Sequence, residues 1–186
     1  MGRINSKKKG GKNENVLAHA FQEWTGYEFA RVPSSGGLRW KRTLDTTGDI
    51  MVADNEHIHK FPFSVETKFH ESVDSWKLLR GQKSKLREFW EQAKADGVRG
   101  KKIPIVFFRY NGLPKSFWYV IIAYDLYRNI KDLMFFENGF FNYDNEFVIF
   151  PSTDLFETPY DTLFKHFNRY KRNYVNSLGN NTDGKD

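Results

Sequence analysis

The segment FSVETKF, residues 63–69, together with the elements around it, constrains the fold more than any other part of the chain. Its apolar residues alternate with Ser64, Glu66 and Lys68, which is the pattern of a β-strand. An amphipathic helix is predicted next, over residues 74–97, and two apolar strands follow it. One helix and two short strands precede the segment, so the predicted order is α-β-β-β-α-β-β. This order predicts an α/β fold in which helices flank a central mixed β-sheet.

The length and composition of the chain narrow the classes of protein it can belong to. At 186 residues it has the length of one domain, and its 17% aromatic content can supply a core. The absence of cysteine excludes disulfides, thiolate zinc sites and thiol nucleophiles, and it fits a reducing cytosol. The longest apolar runs, such as FWYVIIAY at 117–124, are too short to span a bilayer. We therefore expect no membrane partner and, without a phosphate-binding loop motif, no nucleotide cofactor.

The positive charge of the chain is concentrated near its beginning. Residues 1–42 contain nine Lys or Arg and three Glu, so this segment carries the whole net charge of +6. A positive charge placed in this way favours a polyanionic partner, with DNA as the first candidate. A solubilising basic segment is the simpler alternative.

The predicted elements divide the chain into four parts. These are a flexible basic arm (1–13), a core domain (14–125), a C-terminal extension packed on the core (126–175) and a disordered tail (176–186). The predicted long helices cover 14–26, 74–97 and 160–175, and the predicted core strands cover 27–33, 49–54, 63–69, 102–110 and 116–124. A short helix and an aromatic hairpin are expected between the core and the last helix.

Three residues on neighbouring predicted strands indicate a candidate chemistry. Asp49 begins one strand, and Glu66 and Lys68 share a face of the next, so an antiparallel hairpin would bring Asp49 towards Glu66. Two adjacent carboxylates repel each other unless a cation lies between them, and Mg²⁺ prefers such oxygen ligands. The backbone carbonyl of Thr67 is a further candidate ligand, and the ammonium could orient water or stabilise charge on phosphorus. Taken alone, a Glu-x-Lys pair on a strand is more often an exposed ion pair.

Two other polar residues are candidates for supporting roles. Glu14 opens the first predicted helix, where an acid also interacts favourably with the helix dipole. Gln82 lies on the apolar stripe of the second predicted helix, so it needs a hydrogen-bond partner if it is buried. An ordinary structural role is as good an interpretation for each.

The order of these features resembles the PD-(D/E)xK nuclease superfamily and, within it, the archaeal-type Holliday junction resolvases. The resemblance is carried by KKKGGKNEN before the first helix, RVPSSGG at 31–37, GDI at 48–50 and VETK at 65–68, and it covers about residues 7–110. It implies a restriction-endonuclease-like fold. The chain differs from the family pattern in having Gly48 before the aspartate and a longer, more basic loop at 38–47.

The resemblance also implies roles for the candidate residues. Asp49 and Glu66 would bind Mg²⁺, with Mn²⁺ able to substitute, and Lys68 would assist a water that attacks the phosphodiester in line. Glu14 would support the metal site from its helix. The products would carry a 5′-phosphate, as they do in the family.

The remaining site predictions concern the substrate. Ser34 or Ser35 would lie near the scissile phosphate, and Gln82 corresponds to a polar helix residue that many superfamily members place by the site. The predicted DNA contacts are the basic residues of the first 42 positions and one serine: Lys7, Lys8, Lys9, Lys12, Arg31, Ser34, Arg39, Lys41 and Arg42.

The predicted function is a Mg²⁺-dependent, structure-selective DNA endonuclease that resolves four-way junctions in DNA recombination and repair. Resolvases act as dimers, so a homodimer is expected. One alternative is a site-specific endonuclease of the homing or restriction type, whose long loop at 38–47 would read bases. Another is a non-catalytic DNA-binding protein. His57 and His59 could also bind a metal, although the turn in which they lie offers no obvious third ligand.

Overall fold

The computed structural model describes residues 6–32, 47–54, 56–72, 77, 80, 82–135 and 139–180, with the backbone alone at 6–9 and 180. The helices are α1 (Ser6–Thr25), α2 (Lys85–Gly100), α3 (Tyr124–Ile130), α4 (Ser152–Phe156) and α5 (Tyr160–Asn180), with a 3₁₀ turn at Lys131–Leu133. The strands are β1 (Phe29–Arg31), β2 (Ile50–Val52), β3 (Phe63–His70), β4 (Ile103–Tyr110), β5 (Tyr119–Ala123), β6 (Phe141–Tyr143) and β7 (Phe147–Pro151).

All seven strands form one mixed sheet in the order β1-β2-β3-β4-β5-β7-β6. Strands β3 and β4 are parallel, in a register that pairs Phe63 with Ile103, and every other neighbouring pair is antiparallel. Helix α2 connects the two parallel strands, because such strands require a crossover. The predicted α/β class with a mixed sheet and flanking helices is therefore confirmed.

The sheet is covered on both faces, which explains why β3 is buried on both sides at its start. Helices α1 and α5 contribute Leu17, Phe21 and Phe167 to the larger core, which lies on one face. Helix α2 contributes Phe89 and Trp90 to the smaller core on the other face. A polar side chain on β3 that points towards α2 therefore lies between strand and helix. Among the described residues, no helix has the length and apolar character needed to cross a bilayer.

The first and the last helix are longer than predicted. Helix α1 begins at Ser6 rather than residue 14, so part of the predicted basic arm is helical. The segment packs closely there, since Gly11 is buried and a Cβ on it would lie 2.9 Å from the guanidinium of Arg31. Helix α5 continues to Asn180, past the predicted end at 175.

The helix predicted over 74–97 is interrupted and ends later than expected: Lys77 is helical, residues 82–84 are not, and α2 begins at Lys85. Ser84 is the N-cap of α2, and its hydroxyl accepts a hydrogen bond from the Arg87 N–H at 3.3 Å. Gly97 does not end the helix, which runs to Gly100 and is capped by Lys101 in the left-handed conformation. The close approach of the Lys102 carbonyl, 2.8 Å from a Cβ built on Gly97, explains the need for glycine inside the helix.

The division into arm, core, extension and tail stays a prediction. Strands β6 and β7 continue the same sheet through the pairing of β7 with β5, in a register that sets Val120 opposite Phe150. The predicted extension thus contributes to the central sheet as well as packing on it.

Candidate active site

A tight turn at Gly48 places Asp49 beside β3. Gly48 has a φ of +82°, and a Cβ there would lie 2.3 Å from the Val65 carbonyl oxygen, so only glycine fits. The Asp49 N–H donates to that carbonyl at 2.7 Å, and Asp49 Oδ2 accepts a hydrogen bond from the Thr67 N–H at 2.9 Å. The carboxylate therefore lies next to the peptide that joins Glu66 to Thr67.

Glu66 points from β3 towards α2, where its carboxylate is held from two sides. Its side chain is 4% exposed, and its Oε1 forms an ion pair with the ammonium of Lys68. Gln92, on α2, donates a hydrogen bond to the same oxygen at 2.8 Å. The Lys68 ammonium also lies 5.8 Å from the centre of the Phe89 ring, which keeps it on the α2 face. Strand and helix together thus fix both charged groups.

The electrostatics of the site favour binding of a cation. Burial, and after it the charge of Asp49, raise the pKa of Glu66 to about 7, although Lys68 acts in the opposite direction. Burial also raises the pKa of Asp49, against the opposing effects of the Thr67 N–H and Lys68. Asp96, one turn along α2 from Gln92, raises the pKa of both carboxyls. The ionised forms of both acids are therefore destabilised in the free protein, and a cation between them would stabilise those forms.

The third predicted acid, Glu14, lies within electrostatic range of Asp49. Its Oε2 is 2.7 Å from Nε of Arg31, which joins α1 to the edge strand β1. Burial raises the pKa of Glu14, Arg31 lowers it, and the charge of Asp49 raises it again. Arg31, predicted as a DNA contact, is therefore also an internal ion-pair partner.

A buried amide on the other face of β3 supports the site. Asn13, only 5% exposed, donates to Thr67 Oγ1 at 2.7 Å and accepts from Trp118 Nε1 at 3.0 Å. Thr67 is thus anchored through its side chain to α1, while its N–H holds Asp49. Asn13 was not among the predicted site residues.

The other predicted residues divide into three groups. Gln82 is exposed and precedes α2, which begins only at Lys85, whereas Gln92 on that helix is the glutamine that contacts the Glu66 carboxylate. Lys12 is exposed on α1, where the side chains of Lys7, Lys8 and Lys9 lie outside the described part of the structure. Ser34, Ser35, Arg39, Lys41 and Arg42 lie outside the described residues.

The donor set fits Mg²⁺. The described residues contain no group of three or more His, Asp or Glu side chains arranged to hold a metal. The site instead offers Asp49 and Glu66, and Mg²⁺ is commonly held by one or two carboxylates, with water and phosphate in its other positions. The Thr67 carbonyl is a third candidate, because it belongs to the same stretch of β3 as the N–H that binds Asp49. The raised pKa of Glu66, which comes from burial and the nearby charge of Asp49, supports this fit, since a bound cation would stabilise the ionised form of both carboxyls.

The histidine alternative has less support. Nδ1 of His57 lies 2.8 Å from Oδ1 of Asp54, and its ring stacks on Tyr27 with centres 4.3 Å apart. These contacts give His57 a structural role in the turn between β2 and β3.

Comparison with known proteins agrees with this geometry. A family model described as "Phage putative PDDEXK endonuclease" matches residues 5–177, nearly the whole chain. The chain belongs to this family. Membership supports a nuclease of the PD-(D/E)xK superfamily, whereas the narrower resemblance to archaeal-type Holliday junction resolvases stays a prediction.

This member of the PDDEXK endonuclease family also has a curated relative from a phage. Protein D14 of Escherichia phage T5 is 29% identical over 107 residues, which are 57% of this chain and 65% of D14. The chain thus matches slightly less than two-thirds of the length of that relative. No solved structure matches the chain significantly.

The close approach at Gly48 leads to a first prediction. We expect Gly48→Ala to lower the free energy of unfolding by roughly 3 kcal/mol and to reduce nuclease activity, because strain and a backbone clash would move Asp49. Gly26→Ala is a matched control: Gly26 also has a positive φ, of +75°, but a Cβ there meets nothing within 4 Å. It should cost about 1 kcal/mol, with activity retained. Urea unfolding gives the free energy of unfolding of both variants, and a cleavage assay gives their activity. Equal losses of stability in Gly48→Ala and Gly26→Ala would show that the close approach to Val65 is unimportant.

The raised pKa of Glu66 leads to a second prediction, for the protein in EDTA. A carboxyl whose pKa rises from 4.5 to about 7 on folding contributes stability below pH 4.5, and this contribution is lost as the pH rises through 7. Between about pH 5 and about pH 8, wild type should therefore lose roughly 2 kcal/mol more stability than Glu66→Gln. Glu28→Gln, at an exposed glutamate, should behave as wild type. Parallel pH dependence in wild type and Glu66→Gln would contradict the buried-acid interpretation.

Proposed function

We propose that the chain is a divalent-metal-dependent endonuclease that hydrolyses phosphodiester bonds in DNA, with branched DNA, and four-way junctions first, as its preferred substrate. The observation that carries the proposal is the position of Asp49, just before β2, beside Glu66 and Lys68 on β3, with Asp49 bound to the Thr67 N–H and Lys68 bound to Glu66. Family membership supports the nuclease class.

The residues have distinct proposed roles. Asp49 and Glu66 would hold Mg²⁺, or Mn²⁺ in its place, and the ion would supply Lewis-acid activation of a phosphoryl oxygen and of water. Lys68 would orient the attacking water or stabilise the charge that grows on the phosphate, because its ammonium lies beside Glu66 and is 21% exposed. Gln92 would keep the Glu66 carboxylate in position from α2.

The choice of substrate rests on charge and resemblance. The net charge of +6 favours a polyanion, and the whole surplus lies in the first 42 residues. The preference for a four-way junction follows from the resemblance of the KKKGGKNEN, RVPSSGG and VETK segments to junction resolvases. A junction has to be cut in two opposed strands, so this proposal includes a homodimer with two active sites.

A cleavage panel tests the proposal. A four-way junction, a flap and a plain duplex are incubated with the protein in Mg²⁺ and in EDTA, and products are resolved on denaturing gels. We expect paired cuts in the junction with Mg²⁺, slower cleavage of the other substrates and no cleavage in EDTA.

The possible outcomes test the junction preference, the metal dependence and the catalytic activity separately. Cleavage of one defined duplex sequence alone would overturn the junction preference in favour of a site-specific endonuclease. Cleavage that persists in EDTA would overturn the metal dependence. A protein that binds these substrates and cuts none of them under any divalent ion would be a non-catalytic DNA-binding protein.

A further inference from the structure

A second basic surface lies outside the segments predicted to contact DNA. A groove of about 1010 Å³ runs between α5 and the C-terminal end of α2. Six of its twelve described lining residues are Lys or Arg, and none of them is Asp or Glu. The candidate site accounts for none of these cations.

One wall of the groove is a regular array of positive charges on α5. Lys165, Arg169 and Arg172 follow each other at helical spacings of four and three, and all three are exposed. Among the described residues, none of the three is in an ion pair. Like charges at this spacing destabilise a helix by a few tenths of a kcal/mol per pair, so the array is unfavourable in the free protein. A polyanion in the groove would reverse that effect.

The opposite wall connects the groove to the candidate active site. It consists of Gly100, Lys101 and Lys102 at the end of α2. A Cβ on Gly100 would lie only 2.5 Å from Oγ1 of Thr47, so the helix end directly contacts the chain just before Asp49. The groove wall therefore contacts the same short segment that leads into Asp49.

We propose that this groove binds the phosphate backbone of the DNA whose cleavage site lies at Asp49 and Glu66. The inference rests on the proposed nuclease function. The three α5 cations extend over about 10 Å of helix, and successive phosphates of one strand are about 3.4 Å apart along the duplex axis, so four successive phosphates span a similar length. The groove would hold the duplex beyond the cleavage site and so add binding energy without touching the reacting atoms.

The test uses metal-free full-length protein and a fluorescein-labelled blunt duplex, with binding followed by anisotropy over a range of salt concentrations. The groove variant is the triple substitution Lys165→Gln, Arg169→Gln and Arg172→Gln. The control triple, Lys60→Gln, Lys115→Gln and Arg128→Gln, makes the same change in net charge at exposed positions outside the groove. Lys101→Asn tests the other wall, because asparagine tolerates the left-handed conformation there.

We expect the groove variant to bind the duplex at least ~10-fold more weakly. The negative slope of log K against log salt should become smaller in magnitude by about 2 to 3. Lys101→Asn should weaken binding in the same direction, whereas the control triple should change the slope by less than about 1. Equal losses in the two triple variants, or unchanged binding by the groove variant, would overturn the proposal. A groove variant that loses binding to polyglutamate but keeps its affinity for the duplex would also overturn it, and would indicate an acidic protein partner.

This test is independent of the cleavage panel. If wild type cuts DNA in Mg²⁺ while the groove variant binds as wild type does, the groove proposal fails and the nuclease proposal stands. If wild type neither binds nor cuts DNA, the proposed function itself fails.

Discussion

Asp49→Asn is expected to abolish DNA cleavage while leaving the fold and DNA binding nearly intact. Asparagine can still accept the hydrogen bond from the Thr67 N–H, which Asp49 Oδ2 accepts at 2.9 Å, so the turn at Gly48 should persist. The lost charge removes one of two proposed Mg²⁺ ligands. Metal activation contributes several kcal/mol to such reactions, so the rate should fall by about 10³-fold or more.

Two measurements on Asp49→Asn distinguish a chemical role of Asp49 from a structural one. Single-turnover cleavage of the preferred substrate in Mg²⁺ gives the rate, and anisotropy in EDTA gives the affinity for the same DNA. Asp125→Asn, at an exposed acid in the first turn of α3, makes the same change and should cleave as wild type does. Asp49→Ala should also be inactive, but less stable because the Thr67 N–H loses its partner. If Asp49→Asn lost affinity and rate equally, Asp49 would have a structural role instead.

The fold class and the central arrangement of Asp49, Glu66 and Lys68 could be predicted because they follow from local patterns. Strict alternation over residues 63–69 identifies β3, and a short turn region before it makes an antiparallel hairpin with β2 the natural pairing. Gly48 could be recognised as a turn residue. Its close approach to Val65, where a Cβ would lie 2.3 Å from the carbonyl oxygen, could not be predicted, because it depends on how the turn and β3 meet in three dimensions.

The placement of Gln82 differs from the prediction because the predicted helix is interrupted before Lys85. The apolar residues of 74–97 recur at helical spacing, which predicts that Gln82 shares a face with the core residues. Two signals against this were present in the sequence: Gly81 interrupts the pattern, and Ser84 is a preferred N-cap residue. A helix that begins after Ser84 leaves Gln82 outside and makes Gln92 the polar residue that can reach Glu66.

Asn13 could not have been found from local sequence. It lies in a segment of Lys, Gly and Asn residues with poor helix propensity, and its two partners are 54 and 105 residues away along the chain. Tertiary packing outweighs propensity there, because Asn13 satisfies both the Thr67 hydroxyl and the Trp118 indole inside the core. Contacts between residues so far apart in the sequence depend on the whole topology of the sheet.

Lys68→Met is expected to lower the cleavage rate by about 10² to 10³-fold, the usual effect of removing one donor that stabilises a transition state. Methionine keeps an unbranched side chain of similar length, so the change mainly removes the ammonium, which lies 5.8 Å from the centre of the Phe89 ring. Lys60→Met, at an exposed lysine, is the matched control and should leave the rate unchanged. Lys68→Arg should restore only part of the rate, because a planar guanidinium does not reproduce the position of an ammonium.

The pH dependence of Lys68→Met distinguishes catalysis from simple support of the strand. Lys68 lowers the pKa of both Glu66 and Asp49, so its removal should raise both pKa values. Cleavage that depends on the ionised carboxylates would then need a higher pH, and the acidic limb of the pH–rate profile should move to the alkaline side. A variant that only loosened the strand would lose rate equally at every pH. A wild-type rate and profile in Lys68→Met would show that the ammonium takes no part in the reaction, and the proposed mechanism would fail at this residue.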